Sequence, residues 1–140
     1  MALQTTLDTW APRILSVVRI VMALLFIQHG LQKLFSFPGP GPTGDGPLPP
    51  ILLIGAWLEF VGGALVAIGL FTRPVAFILS GEMAVGYFMF HAPRGFYPAL
   101  NGGDAAILFS FIFLYFAFAG GGAWGVDALK SRRKTEAAAG

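Results

Sequence analysis

Residues 51–71 read ILLIGAWLEFVGGALVAIGLF, an unbroken apolar run with one ionisable residue, Glu59, inside it. A membrane helix needs about 20 consecutive apolar residues, so this run predicts a span. Upstream, residues 14–35 are mostly apolar and follow a segment that contains Asp8 and offers no small-residue cleavage site. That run is too long and wrongly flanked for a signal peptide and is expected to remain as a first helix. Between the two, residues 37–50 hold six prolines and four glycines, which neither continue a helix nor pair as a strand. They read as an extramembrane loop. Downstream, Thr72-Arg73-Pro74 supplies an N-cap and a first-turn proline for a third helix, which runs to about residue 90. HAPRGFYP (91–98) then reads as a second loop, and Asn101-Gly-Gly-Asp104 as the cap of a fourth helix to about residue 119.

Composition agrees with four spans. Nine Lys and Arg and seven Asp and Glu make 11% of the 140 residues, where a soluble domain carries about 25% charge. Four spans use about 80 positions and leave no room for a soluble catalytic domain. The absence of cysteine excludes disulfides, iron–sulfur ligation and a catalytic thiol, and a net charge of +2 is too small to point to nucleic acid. The expected fold class is all-α: an integral membrane four-helix bundle, with an N-terminal cytoplasmic segment at 1–13, the transmembrane domain at 14–128 and a disordered basic tail at 129–140. Arg13, Arg73, Lys130, Arg132, Arg133 and Lys134 fall on one side of the spans and only Lys33 and Arg94 on the other. The positive-inside rule then places both termini in the cytoplasm. Trp10 and Trp124 fall near the inner interface and Trp57 near the outer one. The basic tail is expected to act in topological retention, with contact to anionic lipid as the alternative.

Ionisable residues within spans are costly, about 2.5 to 3.5 kcal/mol for a central charge, and are functional candidates by default. Helical rise places Glu59 about 12 Å from the outer start of the second helix and Glu82 about 12 Å from the inner end of the third. On the first helix Arg19 lies about 7 Å and His29 about 22 Å from the inner end. Depth therefore predicts a structural ion pair of Arg19 with Glu82 and a pairing of His29 with Glu59. Arg19, His29 and Lys33 share one sector of the first helix and Gln28 points away from it. Glu59 shares its face with Gly55, Ala56, Gly62 and Gly63, the small residues at which membrane helices approach. It is expected inside the bundle. His29, Lys33, Glu59 and Glu82 are the candidates for ligand binding or proton relay. No metal site is expected, since His29 and His91 are the only histidines and Glu59 or Asp104 the only further ligands at hand. No Ser/His/Asp arrangement is present, and the glycine runs at 39–46 and 120–122 lack the context of a phosphate cradle. The phenylalanines at 109, 111, 113, 116 and 118 are expected to face lipid or neighbouring helices, and such walls also suit a flat quinone ring.

HGLQKLF (29–35), LEFVGG (58–63) continuing to GLFTRP (69–74), and GFYPALNGGD (95–104) together resemble the DoxX family of small bacterial membrane proteins, over about residues 14–127. GGGAWGVD (120–127) is a loose version of the family's closing motif, and Asp104 stands where glutamate is common. The resemblance implies a four-helix membrane bundle in the bacterial inner membrane. Namesake relatives are membrane subunits of a thiosulfate:quinone oxidoreductase, and other members are linked to oxidative-stress or thiol-related complexes. It carries over His29, Lys33, Glu59, Arg73 and Asn101-Gly-Gly as motif positions.

The leading expectation is a membrane subunit of a redox-linked complex, with a quinone or other lipophilic ligand between the helices. His29 or Lys33 donates to its carbonyl and Glu59 handles protons. Electrons then come from a partner protein, because the chain carries no visible redox centre. A small-solute or proton transporter, with a homo-oligomer supplying more helices, and a non-catalytic scaffold or assembly protein are the alternatives.

Overall fold

The computed structural model describes residues 1–44 and 46–140. Among them there is no strand, and the chain runs through five main helices. They are α1 (Ala2–Phe35), α2 (Pro50–Ile68), α3 (Thr72–Arg94), α4 (Asp104–Ala119) and α5 (Val126–Ala139). The first three are long and apolar enough to cross a membrane, and α4 is a shorter apolar helix. At about 1.5 Å per residue its 16 residues span about 24 Å.

Each boundary has a local cause. α1 ends where Ser36 turns left-handed, with its N–H and that of Phe37 reaching back to Gln32 and Leu31. This closure satisfies carbonyls that a helix end leaves open. α2 opens on Pro50, whose missing N–H costs nothing in a first turn. It ends at Gly69 with φ 69°, where a Cβ would lie 2.9 Å from the Gly125 Cα. Only glycine combines that conformation with that approach. Two π turns interrupt the apolar helices, Leu58–Gly62 within α2 and Tyr87–His91 near the end of α3.

The core lies where α1, α2, α3 and α4 meet. Phe26 of α1 stands edge-on to Phe113 at 4.7 Å and tilted to Phe109 at 5.1 Å, geometries worth about 0.5–1.5 kcal/mol each beyond area burial. Phe109, Phe113 and Phe116 are buried together with Val66, Ala76 and Leu79, while Phe111 and Phe118 face outward. The spacing of 109, 113 and 116 is the inner stripe of a helix. Leu24, Phe77, Phe88 and Leu108 are likewise exposed on the outer faces, a surface suited to lipid. Gly30 sets the separation of α1 and α2, because a Cβ there would lie 2.7 Å from the Phe60 nitrogen. Gly30→Leu is expected to push the helices apart and cost about 1–3 kcal/mol or more, read as a lower unfolding midpoint in detergent.

Two boundaries differ from the sequence expectation. α1 begins at Ala2, so residues 2–13 continue the first helix. The basic tail forms α5 where disorder was expected. Its Ala, Lys, Arg and Glu are strong helix formers, and composition outweighs the lack of an apolar stripe.

The first turn of α3 is capped from a distance. Asp127 Oδ1 accepts the Phe71 N–H at 3.0 Å and Oδ2 the Thr72 N–H at 2.8 Å, so the expected Thr72 side-chain cap is replaced by a carboxylate 55 residues on. Burial works against the Asp127 carboxylate, but the N–H groups of Thr72 and Phe71 and the charge of Lys130 outweigh it and hold the group below its ordinary value of 3.8. A depressed native value means stability that is complete above 3.8 and lost as pH falls through the native value. Asp127→Asn keeps one acceptor oxygen and replaces the other by an amide NH2, and is therefore expected to lose about 1 kcal/mol at neutral pH. Its deficit relative to wild type should shrink in strong acid, measured by thermal unfolding at several pH values.

Candidate functional site

The four residues singled out for ligand binding or proton relay, His29, Lys33, Glu59 and Glu82, all line one cavity of about 600 Å³. Its wall is drawn from α1, α2, α3 and the start of α4, and it is mainly apolar, with Phe26, Leu58, Met83 and Phe109 among its members. A pocket of that size with a few convergent polar groups is the usual form of a small-molecule site.

Glu59 reaches this cavity from the π turn of α2 and is 2% exposed. One-turn π segments recur at functional sites, where the extra residue re-aims a side chain. Its Oε1 is paired with the Lys33 ammonium of α1. Its Oε2 is buried with no hydrogen-bond partner among the described residues. Glu82 lies opposite, on α3. Gly55 leaves it room, since a Cβ at Gly55 would meet Glu82 Oε1 at 3.2 Å. Glu82 Oε2 is also buried and unpartnered among the described residues.

Two pairings expected from depth are not formed. His29 stands edge-on to Phe109 at 5.9 Å, and Lys33 takes the Glu59 carboxylate in its place. Lys33 is one turn further along the same face, and its four-carbon stem spans that rise. Arg19, 1% exposed, does not pair with Glu82. Its guanidinium donates to the carbonyls of Val66, Ala67, Gly121 and Trp124, with Nε to Gly121 O at 2.7 Å. Val66 and Ala67 belong to the last turn of α2, where carbonyls lack helical partners and the dipole favours a cation. Arg19 is thus a clasp at the end of α2, remote in role from the cavity. Arg73 does the same for α4 through the carbonyls of Ala117 and Phe118.

His91 belongs to the cavity wall as well, although the sequence places it in a loop. It closes the second π turn, and its Nδ1 lies 3.2 Å from the Asn101 carbonyl. Asn101 is 3% exposed and fixed in turn: Nδ2 donates to Gly95 O and Oδ1 accepts the Gly103 N–H, both at 2.8 Å. The aromatic loop residues between them gave no sign of this arrangement. Among the described residues no group of three His, Asp or Glu side chains is placed to hold a metal ion.

The family model for DoxX matches residues 14–92, more than half of the chain. The chain belongs to the DoxX family. The matched region contains His29, Lys33, Glu59, Glu82 and His91, and it ends before the GFYPALNGGD and GGGAWGVD segments. An uncharacterized protein of Haemophilus influenzae is 46% identical over 129 residues, covering 86% of this DoxX chain and 93% of that protein. The inner membrane protein YqjF of Escherichia coli is 29% identical over 128 residues, 84% of this chain and 92% of YqjF. No solved structure matches. With its long apolar helices, this DoxX protein is a multi-pass protein of the inner membrane.

Proposed function

We propose that this chain is the membrane subunit of a redox-linked complex and that the cavity holds a lipophilic, quinone-type ligand. One observation carries the reading: a mainly apolar cavity gathers His29, Lys33, Glu59 and Glu82 and leaves two buried carboxylate oxygens without partners. Apolar walls suit a flat ring and its tail, and the polar cluster suits the oxygens of its head. A bound quinone would supply two-electron, two-proton chemistry at that place. Lys33 keeps ammonium hydrogens beyond the one given to Glu59 and holds a head-group carbonyl, and His29 offers a ring N–H beside it. Glu59 and Glu82 accept and return protons. Phe26 and Phe109 of the cavity wall pack with Phe113 in the core of the bundle.

In this reading α4 completes a fourth crossing, both termini lie in the cytoplasm as the basic residues direct, and a partner protein delivers the electrons. The test is native mass spectrometry of protein released gently from its own membranes, with parallel lipid extraction, for wild type, Glu59→Gln and His29→Ala. A quinone that accompanies wild type and is lost from both variants is the expected result. A bundle that carries no small molecule and releases an associated protein moves the scaffold reading to first place.

A further inference from the structure

α2 and α3 pack closely over one part of their length and separate over the rest. Where they meet, a Cβ at Gly62 would lie 2.8 Å from Leu79 Cδ2. Beyond that contact, toward Pro50 on one helix and Arg94 on the other, Ile51 and Ile54 of α2 and Gly81, Val85 and Met89 of α3 line the cavity. Their spacing of three or four residues puts them along one side of each helix. Ile51, Ile54, Val85 and Met89 are also about half exposed, so they form the rim of the cavity and not its floor. The glycines of this part of α3 have no packing role. Glycine in a membrane helix usually marks a close approach, and in a helix interior it is the poorest residue after proline. A Cβ at Gly81 or Gly86 would nevertheless meet nothing across the cleft within 4 Å. The missing side chains bring no helices together and leave a passage open.

The passage leads to the polar groups. Glu82, between the two glycines, reaches across toward Gly55. Glu59, on the same cavity wall, is 2% exposed, and its Oε2 is buried without a partner among the described residues. On the outside the cleft is flanked along α3 by Phe77 and Phe88, both exposed. A mouth with apolar lips set in an apolar surface opens onto hydrocarbon.

We propose that the cavity is entered sideways from the bilayer through the cleft between α2 and α3. Its occupant is a single-chain amphiphile, with its polar head at Lys33, Glu59 and Glu82 and its chain leaving past Gly81. The head position rests on the lipophilic-ligand reading above, and the entrance and the chain path go beyond it. A chain that lies in hydrocarbon both free and bound adds little transfer energy. The cleft therefore decides which molecules enter, and the head decides how tightly they stay.

The test has two arms, both on the full chain in nanodiscs. The sequence has no cysteine, so a nitroxide label can be placed singly through Ile54→Cys or Val85→Cys, on opposite lips of the cleft. Strong relaxation by oxygen, which concentrates in hydrocarbon, and weak relaxation by a water-soluble nickel chelate are expected. Relaxation by the chelate shows a mouth open to water and overturns the proposal. A label shielded from both shows that protein, such as a second copy of the chain, covers the cleft, and overturns it too. The second arm compares a methyl-naphthoquinone with the same ring carrying a geranylgeranyl chain, each counted on the intact protein by native mass spectrometry. Wild type is expected to hold the two within a few-fold of each other. Gly81→Phe fills the cleft and should weaken binding of the tailed compound at least about tenfold, with the tailless one held as in wild type. Its unfolding midpoint should be no lower, because phenylalanine is a better helix former than glycine. Val61→Phe adds the same ring on an exposed part of α2 outside the cavity and should change neither affinity. Unchanged binding of the tailed compound by Gly81→Phe overturns the chain path and leaves the quinone-type site standing. Equal loss of both compounds assigns the effect to the head site and overturns the chain path as well. Binding of neither compound to wild type removes the quinone-type reading and the head position with it, and the labels alone then decide the entrance.

Discussion

Arg19→Met is expected to lose on the order of 3 kcal/mol of stability, and to loosen the attachment of α5 to the bundle. The side chain is 1% exposed and satisfies carbonyls from three places in the chain: Val66 and Ala67 of α2, Gly121, and Trp124. Val66 O keeps the Gly69 N–H and Gly121 O the Ser16 hydroxyl, but Ala67 O and Trp124 O lose their donor, at about 1–3 kcal/mol for each buried carbonyl left unpaired, and methionine fills the volume but donates nothing. Arg19→Lys separates charge from geometry. It keeps a cation at the α2 terminus, worth up to about 2 kcal/mol in partly buried sites, and loses the planar fork that reaches several carbonyls at once. It should fall between wild type and Arg19→Met. Unfolding by a denaturing detergent, followed by circular dichroism, gives the order of the three. Proteolysis within 126–139 gives the attachment of α5, which remains partly tied by Asp127, through its N–H to Gly69 O and its carboxylate to the Phe71 and Thr72 N–H groups, and by Ala123 N–H to Pro12 O and Trp124 N–H to Ser16 Oγ. An Arg19→Met protein as stable as wild type would falsify the clasp.

Arg19 also illustrates what a sequence displays and what it hides. A charge inside an apolar run announces that it is buried, because lipid exposure is too costly. On that ground the interior positions of Arg19 and Glu59 were legible, and so was the shared face of Arg19, His29 and Lys33. The choice of partner was not. Arg19 binds backbone carbonyls, which every residue owns, so no residue type marks the far end of the contact. Depth arithmetic compares positions along parallel rods and ignores the reach of a side chain, which is why Lys33 displaced His29 at Glu59. The two π turns insert no characteristic residue, yet they set the direction of Glu59 and draw His91 from an expected loop onto a helix end. Asp127 as the cap of α3 lay beyond any local pattern, since its partners are 55 and 56 residues away. The phenylalanines of α4 were legible as residues that face neighbouring helices or the outer surface, and they divide between the two. Their spacing separates 109, 113 and 116 from 111 and 118, and the period alone divides an inner stripe from a lipid face.

If the chain is the redox subunit proposed above, Glu59→Gln should abolish quinone-dependent turnover in the assembled complex while the bundle still folds. Glutamine keeps the shape of the side chain and a carbonyl oxygen for Lys33, but it cannot take up a proton, and loss of a positioned acid or base typically costs about 10²–10⁴ in rate. The folding expectation follows from the charges around the cavity. Wild type places one ammonium, Lys33, beside two carboxylates, so removal of the Glu59 charge leaves Lys33 with Glu82 as counter-ion on the same cavity wall. Lys33 is also 20% exposed, and a long amine near a helix end can extend toward the interface. Glu82→Gln leaves the Lys33–Glu59 pair intact and should slow turnover less. The double variant removes both counter-ions and should lower the unfolding midpoint as well as the activity, more than the sum of the single variants, because the two carboxylates serve one cation. Turnover measured with the quinone in excess, alongside circular dichroism of each variant, distinguishes these cases. A folded Glu59→Gln protein with wild-type turnover removes Glu59 from proton handling, and the Lys33–Glu59 pair is then a strut between α1 and α2.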